Sequence, residues 1–273
     1  MRTVGRVVAY VVLVVVAFVL VFPLLYAISG SMMTAKELVR YPPTLIPATP
    51  RLGAYGEVVH VIPLARQLLN SAVVSIAVML GQLSTAVLSA YAFAFLRVPF
   101  RNAAFGIFLA TMFIPWEAII LPNYLFMADH GLIDTYPALI LPFLAAGFGT
   151  FLLRQFFLAF PRDLHEAALV DGCGHLRFLW TILVPLSRPA LATLAIYVFL
   201  QTWNQYFWPL LVTKSSVMQT LQIGIRSLRD IEQATPPNLL FAGVVLALIP
   251  TLALIYAGQR HIVRGLTSGA LRG

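Results

Sequence analysis

The sequence predicts an all-α, polytopic membrane protein with six transmembrane helices and both termini in the cytoplasm. Three observations predict it. First, 60% of the 273 residues are hydrophobic and only 10% are charged, with a mean hydropathy of +0.89. A soluble domain carries about a quarter charged residues, and a chain this poor in charge cannot cover a water-facing surface. Second, six apolar segments reach the ~20 residues that a bilayer demands. Third, the basic residues sort to one side once the N-terminus is placed inside.

The segments follow in order, within a single transmembrane domain spanning 1–273. Span one, 7–28, comes after Arg2 and Arg6. Its apolar run is too long for the core of a signal peptide and no A-x-A site follows, so it reads as a retained span. The longest loop, 30–70, is external; its "YPPTLIPATP" is extended and proline-rich and reads as a lid or docking surface. Spans two to four are placed at 71–95, 103–126 and 136–157. A polar loop, 161–188, separates them from span five at 189–212 and span six at 239–258. Prolines fall inside these spans at Pro23, Pro115, Pro122, Pro137, Pro142, Pro209 and Pro250. Each removes an amide donor and bends or breaks its helix, which neighbouring helices or a water-filled cavity can compensate.

Charge supplies the sidedness. The inner face receives eleven arginines against Asp163, Glu166 and Asp171, a net of +8. The outer face receives seven basic and six acidic residues, and Glu117 alone lies inside a span. The basic excess is therefore almost wholly cytoplasmic, as the positive-inside rule asks, and implies no nucleic-acid partner.

Several chemistries are excluded. The single cysteine, Cys173, allows no internal disulfide and no multi-cysteine zinc site. The only lysines, Lys36 and Lys214, do not follow a glycine, so no phosphate-binding loop of the GxxxxGK[ST] type exists. There is no HExxH or GxSxG, and the five histidines are scattered. No catalytic residue and no metal ligand set is predicted.

The segment "EAALVDGCGHLRFLWTILVP" breaks the apolar pattern. Asp163 is placed as a helix N-cap, with Glu166 at the third helical position in a variant of the capping box. A short helix is expected to reach about Asp171, and Gly172 and Gly174 to take the left-handed conformation that ends it. A second helix, from about His175 with Leu176, Leu179, Trp180 and Leu183 on one face, is expected to stop at Pro185. The result is a cytoplasmic elbow able to receive a push from a soluble partner.

At these residues the chain resembles the permease subunits of bacterial ABC importers. Glu166-Ala167-Ala168, Gly172, Ile182 and Pro185 meet the spacing EAA-x3-G-x9-I-x-L-P, with Val184 where leucine is usual. "LRVPFRN", "LPNYLFMADHGLIDT", "WNQYFWPLL" and the tail "QRHIVRGLTSGALRG" are similar to the carbohydrate-uptake type-1, or maltose-transporter, class. "PPTLIPATP" and "WNQYFWPLL" look closest to its sn-glycerol 3-phosphate permease subunits. The resemblance implies the type I importer permease fold and alternating access. It implies a second homologous permease subunit, an ABC ATPase dimer, an extracytoplasmic solute-binding protein and the lipid bilayer as partners. This chain would bind no cofactor, and ATP and Mg would sit at the ATPase subunits. Glu166, Ala167, Ala168, Asp171, Gly172, Ile182 and Pro185 would couple to the ATPase. Arg264, Gly265 and Gly269 in the tail would contact it, unless the tail is a frayed basic terminus near the anionic leaflet.

The candidate solute path comprises Glu117, Asn123, Trp203, Asn204 and Gln205. Counted along a straight helix at 1.5 Å per residue, Glu117 lies roughly 20 Å into span three, past the midplane. An acid there is either functional or a hydrogen-bonding link between helices. The 203–205 run suits sugar hydroxyls and equally suits an interfacial aromatic belt. The expected cargo is glycerol 3-phosphate, a glycerophosphodiester or a related carbohydrate. Two alternatives are a sugar or oligosaccharide importer and a stand-alone secondary transporter.

Overall fold

Long apolar runs with few charges form the long helices, and proline and glycine decide where the others stop. The computed structural model of the chain describes residues 2–97, 99–229 and 236–267. In chain order the helices are α1 (Arg2–Ser31), α2 (Ala35–Leu38), α3 (Gly53–Val61), α4 (Leu64–Phe95), α5 (Arg101–Ala110), α6 (Trp116–Asp129), α7 (Tyr136–Ile140), α8 (Gly147–Leu158), α9 (Arg162–Val170), α10 (His175–Phe178), α11 (Val184–Leu186), α12 (Arg188–Trp203), α13 (Phe207–Val212), α14 (Leu221–Ser227) and α15 (Pro237–Thr267). Single 3-10 turns cover Thr111–Phe113 and Leu141–Phe143, and a π-helical stretch covers Leu179–Leu183.

Gly5–Ser31, Leu64–Phe95 and Pro237–Gln259 are long and apolar enough to cross a membrane unbroken. They contain the predicted spans 7–28, 71–95 and 239–258. The other three predicted spans are not straight. Arg101–Phe113 and Trp116–Asp129 meet at 91°, Tyr136–Phe143 and Gly147–Leu158 at 44°, and His175–Leu186 and Arg188–Trp203 at 80°. Taking each bent pair as one span gives up to six. Span five is corrected at both ends. Its bent partner is the stretch before it, and the chain breaks again between Trp203 and Phe207.

Proline explains the first break. Ile114 and Pro115 are both extended, at ψ 115 and 139, because the residue before a proline is pushed out of the helical region. Not every proline breaks its helix. Pro23, Pro122 and Pro250 lie inside continuous helices.

The chain divides into two compact units, 1–67 with 221–249, and 68–220 with 250–273. In the first, α1 exposes every side chain from Gly5 to Phe22, whereas Ala27, Ser31 and Met33 at its far end are buried. Ser31 Oγ and Tyr55 Oη share a 2.7 Å hydrogen bond that ties α1 to α3. Thr34 and Glu37 form a capping box on α2, and Glu37 also accepts the Ala48 amide at 3.1 Å. Gly224 admits the Gln67 side chain against its backbone, since a Cβ there would collide with Gln67 Oε1.

The second unit has a continuous core that includes Val78, Leu139, Leu153, Phe157, Leu179, Leu183, Leu194 and Trp208. Two polar pins hold its broken helices. Asn70 Nδ2 donates to the carbonyls of Val217 and Gln219, both at 2.8 Å, while its Oδ1 accepts from Tyr136 Oη at 2.7 Å. Asp134, at φ 64, accepts the amides of Lys214 (2.8 Å) and Ser215 (3.0 Å) and donates its own N–H to Val212 O at 2.7 Å. Burial pushes this carboxyl up. The hydrogen bonds from the Ser215 side chain and amide and the Lys214 amide, with the Lys214 charge, outweigh it and hold the pKa below the usual value.

Candidate functional site

The elbow is built by backbone chemistry. Helix α9 begins after Pro161, and no side chain caps it. Asp163 therefore sits in the first turn, where its charge suits the helix dipole, and the predicted capping box with Glu166 does not form. At the other end Asp171 is the C-cap and Gly172 turns left-handed at φ +71. Cys173 N–H donates to Ala168 O at 2.8 Å and Gly172 N–H to Leu169 O at 3.0 Å. This is a Schellman motif, which closes the orphan carbonyls of a helix end. Gly174 is not left-handed as expected. It is extended, at φ −67 and ψ 160, and begins α10.

The second arm does not stop at Pro185. It passes through the π-helical turn and α11 and bends at Ser187, whose N–H donates to Leu183 O at 2.9 Å. The wider turn also divides the predicted apolar face. Leu179, Leu183 and Phe178 are buried, but Leu176 and Trp180 are exposed. Ala168 is buried, while Glu166, Ala167 and Asp171 face outward. Ile182 and Pro185 are half-buried. The tip of the elbow thus displays apolar side chains, with Val170 88% and Leu176 67% exposed.

An aromatic cluster seats the elbow on the end of α4. Tyr91 Oη and His175 Nδ1 share a 2.9 Å hydrogen bond. The His165 ring lies 4.8 Å from Phe95 and 4.7 Å from Phe178. His165 Nε2 is buried without a partner. Burial, then His175, hold this imidazole below its ordinary pKa against the opposing charge of Glu166. A cavity of ≈ 290 Å³ opens beside it, lined in part by Arg97, Arg101, His165 and Glu166.

A second cavity, of ≈ 430 Å³, contains part of the predicted solute path. Asn204 and Gln205 line it with Gln82, Gln201, Thr202, Trp116 and Tyr197, and no lysine or arginine is among the lining residues. Gln82 Nε2 donates to Phe143 O at 2.8 Å, and Asn204 Nδ2 to Leu200 O at 2.8 Å. Trp203 is not in the lining; it is buried and stacks on Phe199 at 5.6 Å. Glu117 and Asn123 are likewise not lining residues. The straight-helix count for Glu117 fails because of the 91° bend, which leaves it exposed in the first turn of α6. Sequence reasoning missed Gln82, Gln201, Tyr91 and His175. The signal for the first two was an uncharged amide inside an apolar span. Arg264 and Gly265 fall in the last turns of α15 with side chains outside the described set, and Gly269 lies outside the described residues. Among the described residues no three His, Cys, Asp or Glu side chains come together as a metal site.

Residues 82–268, which carry both the elbow and the larger cavity, match the family described as binding-protein-dependent transport system inner membrane component. The chain belongs to this family. The permease is 40% identical over 273 residues to the sn-glycerol-3-phosphate transport system permease protein UgpE of Agrobacterium fabrum, and to that of Rhizobium meliloti, covering 97% of each chain. The corresponding Yersinia pestis protein is 36% identical over 264 residues, covering 94% of each. A crystal structure of a bacterial ABC transporter involved in the import of the acidic polysaccharide alginate contains a chain with TM-score 0.85 and 25% identity, covering 94% of the permease and 96% of that chain. A second alginate transporter structure, in complex with a pentasaccharide-bound periplasmic protein, matches in fold with TM-score 0.66 and 17% identity over 96% of each chain. The permease is an inner-membrane transport protein of the ABC importer class and not an enzyme.

Proposed function

We propose that this permease is one of a pair of permease subunits, powered by a separate ATPase dimer that docks on the elbow from the cytoplasm. A solute-binding protein would deliver cargo to the opposite face. ATP and Mg belong to the ATPase, and this chain holds no cofactor of its own. Glu166, Ala167, Ala168, Asp171, Gly172, Ile182 and Pro185 form or frame the docking surface, and Arg264, Gly265 and Gly269 in the tail extend it.

One observation carries this reading. The elbow exposes Val170 and Leu176 at its tip while Ala168, Phe178, Leu179 and Leu183 anchor its roots. An apolar tip on a rigid base, flanked by an acid, is the form of a surface that a partner covers. In the assembled transporter reconstituted in vesicles, Glu166→Lys lowers ATP-driven uptake by at least roughly tenfold, the scale of a broken charge pair at an interface, with the permease pair still assembled. Undiminished uptake in that variant refutes docking through Glu166.

The solute is sn-glycerol 3-phosphate or a related glycerophosphodiester. The names of the relatives support this. A sugar or oligosaccharide is the second reading, favoured by a cavity lined with amides and aromatic rings and no cation. Competition between sn-glycerol 3-phosphate and maltose for the partner binding protein, followed by uptake of the winner, separates the two.

A further inference from the structure

We propose that Tyr91, His165 and His175 form a positioning joint that carries movement of the elbow into helix α4 and along it to the 430 Å³ cavity. The inference rests on the elbow being the ATPase dock.

Each arm of the elbow contributes one histidine: His165 lies on α9 and His175 on α10. Both meet the same face of α4, where Tyr91 and Phe95 stand one turn apart with ring centroids at 5.3 Å. Phe178 closes the set, 4.7 Å from His165, 5.6 Å from Phe95 and 6.4 Å from Tyr91. Tyr91 and Phe178 are almost wholly buried, at 4% and 1% exposure. Apolar burial alone is non-directional and would let the surfaces slide. The Tyr91–His175 hydrogen bond is directional and fixes one register.

What happens beyond the joint depends on α4. It is 32 residues long, contains no proline and is unbroken, unlike the bent pairs at 101–129 and 136–158. A displacement at Tyr91 and Phe95 is therefore transmitted along a stiff rod. Gln82, on the same helix, lines the cavity and donates to the carbonyl of Phe143, another lining residue. Nine residues separate Gln82 from Tyr91, roughly 14 Å of helix rise. The joint thus connects the elbow to a cavity wall through one rigid element.

The test uses the complete transporter in vesicles, with ATP hydrolysis measured beside uptake of sn-glycerol 3-phosphate, or of maltose if the wild type takes that instead. Tyr91→Phe removes one hydroxyl. It lowers uptake per ATP roughly three- to tenfold, the factor expected for one directional hydrogen bond, while the ATPase still co-purifies. The double variant with His175→Phe is no worse than the poorer single variant, because both remove the same bond. A wild-type ratio in Tyr91→Phe, or additive losses in the double variant, overturns the joint. Should Tyr91→Phe fail to assemble, His175→Gln and His175→Phe decide instead. Gln must keep the ratio and Phe must lose it, and equal behaviour overturns the proposal. A cysteine cross-link from Ala167→Cys to the ATPase separates the two levels. Its absence removes the docking reading and the joint together; its presence with an unchanged ratio removes the joint alone.

Discussion

The elbow and the larger cavity are built in opposite ways. The elbow is local: 163–187 folds on itself through a Schellman motif and a π-helical turn, and its roots are apolar and buried. The cavity is assembled from distant positions, with Gln82 on α4, Trp116 on α6, Phe143 after α7, Tyr197 on α12 and Gln205 beyond it. Its lining is amide and aromatic, and Gln201 and Gln205 face it. On the proposed function, the part that would transmit force is held by packing, and the part that would pass the solute presents uncharged polar groups.

If that contrast is right, the largest effect on stability comes from the roots of the elbow. Leu183 is fully buried in the core. Leu183→Ala costs about 2–5 kcal/mol by lost burial and the cavity left behind. The unfolding temperature of the detergent-purified permease should fall by several degrees, and a near-neutral result would break the comparison. The cavity should respond in activity instead. Gln201 is exposed to the cavity, so Gln201→Leu leaves the unfolding temperature within error. It raises the KM for uptake roughly five- to tenfold through loss of a hydrogen bond to cargo. A fall in stability with unchanged KM would make Gln201 a structural residue and erase the distinction.

The same contrast explains what could be read from the sequence. The elbow was legible because its information is contiguous. Gly172 supplies the positive φ, and the spacing from Glu166 to Pro185 fits two short arms. The errors there were of competing local signals: Asp163 is a good cap by type, yet the cap falls two residues earlier, at Pro161. Hydropathy located the continuous spans but not the bends, since Pro115 breaks a helix and Pro122 seven residues later does not. That choice depends on what surrounds the freed carbonyl, which no single stretch records. The cavity inherited the error. Trp203, Asn204 and Gln205 were chosen by type, and the two amides line the cavity while the indole is buried; Glu117 was placed by counting along a straight helix.

Acidity distinguishes the regions by the smallest effect. The elbow contains His165, whose pKa is held below its ordinary 6.5 chiefly by burial. A depressed pKa means that the unfolded chain takes up the proton first. The stability contributed by neutral His165 is therefore complete above pH 6.5 and declines as pH falls through the lower folded value. The carboxyl of the Asp134 pin is also depressed, but from an ordinary 3.8. Its contribution survives mild acid and is lost only below that value. Mild acidification from pH 7 should loosen the elbow while the Asp134 pin stays intact. Hydrogen exchange reads this directly: amides of 163–187 gain exchange as pH drops below 6.5, after correction for the intrinsic rate, while those of Lys214 and Ser215 do not. His165→Phe keeps an apolar ring among Phe95 and Phe178 and should flatten the elbow's response. An unchanged response in that variant would assign the titration to another group, and equal loosening at Lys214 and Ser215 would show that the two regions do not open separately.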